Sequence, residues 1–225
     1  MKQRLIFLQE LLNYSEMVAL VAGLIAWIFI TDKRVRYFVV YLAFIVACEQ
    51  LGHYFAKSQL KTENVILYNY LVIPVEFLFN IWFLYSFMPS KKRWQLCFVF
   101  SITGILAQVI ELTFLKDERF FFSSLSYIVN TFLLLVVILM FLLQFIKTDQ
   151  LLQYYRHFSF WAAIALLIYY LGSFPLFAFY NYLYQSDKSS FYVYWQIQIC
   201  LNILMYLLFA AGLLWTNIKY RSSSP

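Results

Sequence analysis

Four glutamates lie inside stretches that are otherwise apolar: Glu16, Glu49, Glu76 and Glu111. Two of them have neighbours that would give a buried acid something to do. Glu49 and His53 are four residues apart, so on a helix they share a face. A carboxyl group beside an imidazole suits proton coupling, or the capture of a cationic or hydrogen-bonding ligand. Glu76 stands two residues after Pro74 in "NYLVIPVEFLFN" (69–80), within an apolar run that continues to Met88. An ionisable group in hydrocarbon is costly and normally faces the interior of a bundle or a cavity. Glu49 and Glu76 must therefore be neutral or paired with a cation, and His53 is the candidate cation at matching depth.

The amides repeat the pattern. Asn69, Ile73, Glu76 and Asn80 follow 4, 3, 4 spacing, and Trp195, Gln198, Asn202 and Tyr206 follow 3, 4, 4. Such stripes mark inward faces of helices. Asn13, Gln50, Tyr68, Tyr70, Gln108, Ser123, Ser124, Tyr127, Asn130 and Gln196 fall at the same ends of their segments. The expectation is a polar cavity open on the side of the N-terminus, with a ligand-binding set of Glu49, His53, Asn69, Glu76, Glu111, Asn130, Gln198 and Asn202. If the protein is an enzyme, Glu76 is the candidate general acid and Glu49 and His53 support it. The plainer alternative is that the amides are packing contacts between helices, and that Glu16 and Glu111 sit near water. The opposite halves, such as "MVALVAGLIAWIFI" and "ILMYLLFAAGLLW", read as an apolar plug.

These residues need a membrane-embedded scaffold. Of the 225 residues 64% are hydrophobic and 12% charged, against roughly 45–50% and about 25% in ordinary soluble domains. Seven apolar blocks occupy approximately 11–31, 37–56, 64–88, 94–115, 121–146, 158–183 and 191–216. About 20 helical residues cross the hydrocarbon layer. The chain therefore reads as one all-α integral membrane domain over 1–225, a bundle of seven transmembrane helices. Barrel strands would alternate in polarity, whereas "TFLLLVVILMFLLQFI" is apolar all round.

Pro74 removes a backbone hydrogen bond and predicts a kink in the third helix, and Gly172, Ser173 and Pro175 predict a break in the sixth. The N-terminus begins like a signal peptide, but Gln9 and Glu10 interrupt its apolar region and no small-residue cleavage site follows. It reads as a retained lead-in to the first helix, and "IKYRSSSP" as a short disordered tail. Cys48, Cys97 and Cys200 all fall within spans, which argues against a disulfide framework. No zinc-ligand spacing occurs, and neither metal nor cofactor is expected.

Ten of the 17 Lys and Arg residues lie on the side of the first, third and fifth loops and the C-terminus, and seven on the other. The positive-inside rule then puts the C-terminus in the cytoplasm and the N-terminus outside. The net charge of +6 is explained by cations beside helix ends, facing anionic head groups. Nucleic acid is not an expected partner.

Seven helices with this orientation invite comparison with rhodopsins, but "FYVYWQIQICLNILMYLLFAAGLLW" holds no lysine for a retinal Schiff base, and the Pro-Gln pair of the seven-helix sugar and cystine transporters is absent. "PVEFLF" (74–79) resembles the Pro-x-Glu-Glu motif of the small membrane lycopene cyclases, with Phe77 in place of the second carboxylate. That resemblance implies that Glu76 protonates a polyene end group. In length and layout the chain resembles the seven-helix sensor regions of bacterial histidine kinases. That implies a bacterial inner membrane, a small or lipidic ligand and a separate signalling partner. A sensor-like receptor is the leading expectation, with an intramembrane enzyme or a proton-coupled transporter as alternatives.

Overall fold

In lipid every backbone N–H and C=O must find a partner within the protein, so an apolar chain of this kind can satisfy itself only as helices. The computed structural model describes residues 2–88, 91–115, 124–147, 154–186 and 188–221. They form α1 (Lys2–Trp27), α2 (Lys33–Lys57), α3 (Lys61–Leu67), α4 (Ile73–Ser86), α5 (Lys91–Ile110), α6 (Ser124–Ile146), α7 (Phe158–Ala178), α8 (Tyr180–Ser186) and α9 (Lys188–Arg221). A π-helical turn, Tyr68–Val72, joins α3 to α4, and a second, Glu111–Leu115, ends α5. Seven of these segments are long and apolar enough to cross a bilayer, α3 and α4 counting as one. The chain is an all-α, seven-span integral membrane protein.

Around the bundle, α1 packs on α9, α9 on α7, α7 on α6, α6 on α4, α4 on α2 and α2 back on α1. Six spans thus close a ring. The remaining span, α5, stands outside it against α4 and α6, and its Phe98, Val99, Ile102, Leu106 and Val109 are exposed where lipid would cover them. Lipid is as apolar as leucine, so close backbone approach matters more than hydrophobicity in holding such helices together. Gly172 shows this: a Cβ there would lie 2.6 Å from Leu201 Cδ1 on α9.

The half of the bundle away from the N-terminus is filled by aromatic rings. Phe38 is fully buried, with its centroid 4.9 Å from those of Phe83 and Phe158 and 5.0 Å from that of Phe209. Above it Tyr41 stacks on Phe79 at 4.0 Å. Below it Arg34 holds the base closed: its guanidinium pairs with Asp32 at 2.6 Å, donates to the Ser86 carbonyl at 2.8 Å and lies 3.9 Å over the Phe87 ring. Burial alone would raise the Asp32 carboxyl, but hydrogen bonds and charge from Arg34 outweigh it and hold the group below its ordinary value. Asp32 also caps α2 by accepting from the Arg34 N–H.

The boundaries differ from the sequence expectation in four places. First, α1 starts at Lys2 and stops at Trp27 instead of covering 11–31. Its opening turns contain only residues that helices tolerate and neither Gly nor Pro, so the lead-in is part of the helix and Glu16 moves from its start to its middle. Second, α7 runs through Gly172, Ser173 and Pro175 and stops at Ala178, where the Phe179 N–H donates to the Pro175 carbonyl. The break therefore comes after the proline. Third, α9 continues through Ile218–Arg221, which the sequence read as tail.

The fourth difference is how Pro74 is accommodated. The Ile73 N–H donates to the Tyr68 carbonyl five residues back, so the chain widens by one residue just before the proline. In that register the Asn69 carbonyl would look to residue 74, which is proline and has no N–H. Gln108 on α5 fills the vacancy, its Nε2 donating to the Asn69 carbonyl at 2.7 Å. Replacing Gln108 by Leu should remove this buried hydrogen bond and destabilise the protein by about 1–3 kcal/mol. In a Pro74→Ala background, where residue 74 regains a donor, the same substitution should cost clearly less. Unfolding free energies of the four proteins in mild detergent measure the difference, and equal costs in both backgrounds would refute the link.

Candidate functional site

Inside the ring, on the side of the N-terminus, lies a cavity of about 440 Å3. Its wall takes Gln9 and Leu12 from α1, Glu49 and His53 from α2, Tyr68 and Asn69 from the π turn, Glu76 from α4, Tyr127 from α6, Tyr169 from α7, and Gln198 and Asn202 from α9. A smaller space of about 50 Å3 continues beneath it towards Tyr41, Asn80 and Phe209. Glu49, Val72, Glu76, Tyr169 and Asn202 belong to both. The aromatic packing around Phe38 lies below.

The carboxyl groups are held by phenols. Tyr68 donates to Glu49 Oε2 at 2.5 Å, and Tyr170 donates to Glu76 Oε1 at 2.8 Å. Glu16 is 1% exposed, lies close enough to Glu49 for their charges to interact, and its Oε2 has no partner. Tyr206 is within electrostatic reach of all three acids. At the rim, burial and the neighbouring Tyr184 push the Tyr180 phenol up to about 12, so it stays a neutral hydroxyl.

The amides leave acceptors unused. Gln198 Nε2 donates to the Tyr169 hydroxyl at 2.9 Å, while its Oε1 is unpartnered. Asn80 Nδ2 reaches the Tyr41 hydroxyl at 3.4 Å and its Oδ1 is likewise unpartnered, as are Asn64 Oδ1 and Asn202 Oδ1. No Lys or Arg lines either space among the described residues. The wall is rich in acids, amides and aromatic rings.

Of the residues expected to form a site, the structure brings Glu49, His53, Asn69, Glu76, Gln198 and Asn202 to one cavity. Glu111 and Asn130 are elsewhere. The Glu111 carboxylate accepts from the Leu125 and Ser126 N–H groups at 3.0 and 2.6 Å, which caps α6. Asn130 is buried against Gly104 of α5. Both contacts belong to the α5–α6 seam, outside the ring. Nor is His53 the counter-ion of Glu49: it is exposed at the rim, Glu49 is bonded to Tyr68, and Arg34–Asp32 is the one ion pair among the described residues. Ser123 lies outside the described residues. Phe77, where the cyclase motif has its second acid, packs on Tyr127 and Tyr170 at 5.4 Å.

Sequence reasoning left Glu16, Tyr68, Tyr169 and Tyr170 out of the site, of which Tyr68 and Tyr169 line the cavity while Glu16 and Tyr170 sit beside it, next to Glu49 and Glu76. Glu16 was obscured by the misplaced start of α1. Tyr68 was obscured by the assumption of uninterrupted α-helical spacing, although Pro74 six residues on is the signal for a wider turn. Tyr169 and Tyr170 carried no signal in a chain that has 19 tyrosines. No protein-family model, curated protein or solved structure matches this chain.

Gly52 faces the bond between Tyr68 and Glu49. A Cβ there would lie 2.7 Å from Tyr68 Oη and 3.2 Å from Asn64 Oδ1. Gly52→Ala and Tyr68→Phe are each expected to destabilise the protein by about 1–3 kcal/mol, since each disturbs a hydrogen bond to a carboxyl group. Combined, they should cost less than the sum. Strict additivity in a denaturant titration would mean that Gly52 does not act through Tyr68.

Proposed function

We propose that this protein is a receptor-like seven-helix module that binds a small or lipidic ligand in the cavity on its N-terminal side and acts through a separate protein partner. The observation that carries the reading is the wall itself: one space receives side chains from six spans and ends on packed rings. A ligand held there would touch most of the bundle at once. Binding that favours one helix arrangement over another shifts the population towards it. The aromatic packing around Phe38 beneath the cavity favours sensing over flux. The charge distribution supports a cytoplasmic C-terminus and an external N-terminus, and a bacterial inner membrane is part of the same proposal.

A second reading has one observation in its favour. Glu76 lies at the inner end of the large cavity with Tyr170 bonded to it, where an apolar substrate entering from the mouth would meet an acid. Turnover of a bound molecule, abolished in Glu76→Gln, would select that reading.

The test is a thermal-stability screen of the purified protein in lipid nanodiscs against a broad set of small molecules of every charge. A ligand at a hundred times its Kd should stabilise the folded state by about 2.7 kcal/mol, and Asn202→Leu should abolish the effect while leaving the unliganded protein folded. If no stabilising molecule depends on Asn202, the cavity is not a receptor site.

A further inference from the structure

The cavity has a chemical polarity that narrows its occupant. Three carboxyl groups, Glu16, Glu49 and Glu76, are in or beside it, and no Lys or Arg lines it among the described residues. A buried acid must be either neutral or accompanied by a cation, and a bound cation favours its charged form. Tyr68 and Tyr170 give one hydrogen bond each to Glu49 and Glu76, and a carboxylate has room for several.

The amides point the same way independently of the acids. Gln198 is 6% exposed and Asn80 1% exposed, each lines one of the two adjoining spaces, and each has a carbonyl oxygen with no donor. Asn202 Oδ1, between them, also lacks one. Buried acceptors of this kind are rarely left unpaired. What is missing is a group that carries positive charge and several N–H donors. Above these acceptors the wall is aromatic, with Tyr127, Tyr169, Phe177, Tyr180 and Trp195, a lining that suits an apolar or aromatic body and attracts cations through its ring faces. From Trp195 to Asn202 the helix rises about 10 Å, which bounds the length of a molecule spanning rim to floor.

We propose that the occupant is a primary or secondary organic ammonium ion with an aromatic or apolar body no longer than about 10 Å, its nitrogen among Glu49, Glu76 and Asn202. This rests on the receptor reading above and adds the chemistry of the ligand. An anion is disfavoured by all three acids, and a quaternary ammonium would leave the amide oxygens unpaired.

The experiment compares three probes of nearly equal shape, phenethylamine, 2-phenylethanol and 3-phenylpropionate, on the full chain in phosphatidylcholine nanodiscs, with unfolding temperature and calorimetry as readouts. Phenethylamine should bind, the alcohol and the acid at least tenfold more weakly, and Glu76→Gln should weaken the amine at least tenfold while leaving the alcohol unchanged. Should Glu76→Gln fail to fold, Glu49→Gln gives the same comparison. Equal or tighter binding of the alcohol or the acid, lost in Asn202→Leu, would overturn the ammonium assignment and leave the receptor reading standing. A shift produced by sodium or potassium chloride alone, with the same dependence on Glu76, would replace the organic ion by an inorganic one and overturn the proposal. Failure of phenethylamine to bind would overturn it too, and the charge-neutral part of the broader screen would then decide separately whether the cavity binds anything.

Discussion

The missing N–H of Pro74 sets much of the architecture. Residue 74 offers no N–H to the turn before it, the chain widens there so that the Ile73 N–H meets the Tyr68 carbonyl, and Gln108 of α5 bonds to the Asn69 carbonyl. Two consequences follow from one absent hydrogen. Tyr68, in the wide turn, reaches Glu49 of the adjoining α2, while Glu76, about two turns further on, accepts from Tyr170 of α7. The same bond also ties α5 to a ring it otherwise only borders, because its other faces meet α6 and lipid. A π turn is usually a local irregularity; here the span that carries it sets a donor, Tyr68, against an acid of α2 and an acid, Glu76, against a donor of α7.

Because lipid competes on equal terms with apolar side chains, the bundle divides its work by depth. The lower half is held by ring-on-ring contact around Phe38 and sealed by Arg34, whose bonds to Asp32 and the Ser86 carbonyl join the first loop to the end of α4. The upper half is held by hydrogen bonds between spans: Gln50 to Asn13 at 2.5 Å, Gln198 to Tyr169, Tyr170 to Glu76. Dispersion between rings needs exact packing and tolerates little movement. Hydrogen bonds between long polar side chains exchange partners more easily, so the half with the cavity is the more adaptable half, as the proposed receptor role requires.

How far this was legible in the sequence depended on scale. Seven spans and the depth of the polar groups followed from composition and block length, because the bilayer fixes both. Convergence did not follow, because depth along the normal is not position around it. Glu111 and Asn130 lie at the same depth as the cavity groups and fail to reach it for a reason no periodicity contains: α5 is outside the ring, and α6 turns Asn130 towards it. The stripes on the third and seventh spans were read correctly as inward faces, yet their partners came from the less conspicuous side. Tyrosines at 68, 169 and 170 look like any other aromatic residues in a membrane chain until a structure shows what each hydroxyl touches. Glu16 was misread because the end of a helix cannot be located from hydropathy alone when polar residues are tolerated within it.

The polar groups also bear on why the cavity sits where it does. Glu16, Glu49 and Glu76 come from three spans, and Gln198 and Asn202 from a fourth, so their mutual distances are set by the packing of the ring and by no single helix. A carboxyl pair drawn together repels, and drawn apart it leaves a wider, wetter space; either way the energy of the site depends on the arrangement of the spans. That dependence is reciprocal. On the proposed function, a ligand that satisfies the unpaired oxygens favours the arrangement in which they converge, and a partner that fixes that arrangement changes the ligand's affinity by the same factor. A cluster of acids with no Lys or Arg beside it among the described residues is therefore a poor way to stabilise a bundle, and under the receptor proposal it is what makes the packing depend on the ligand.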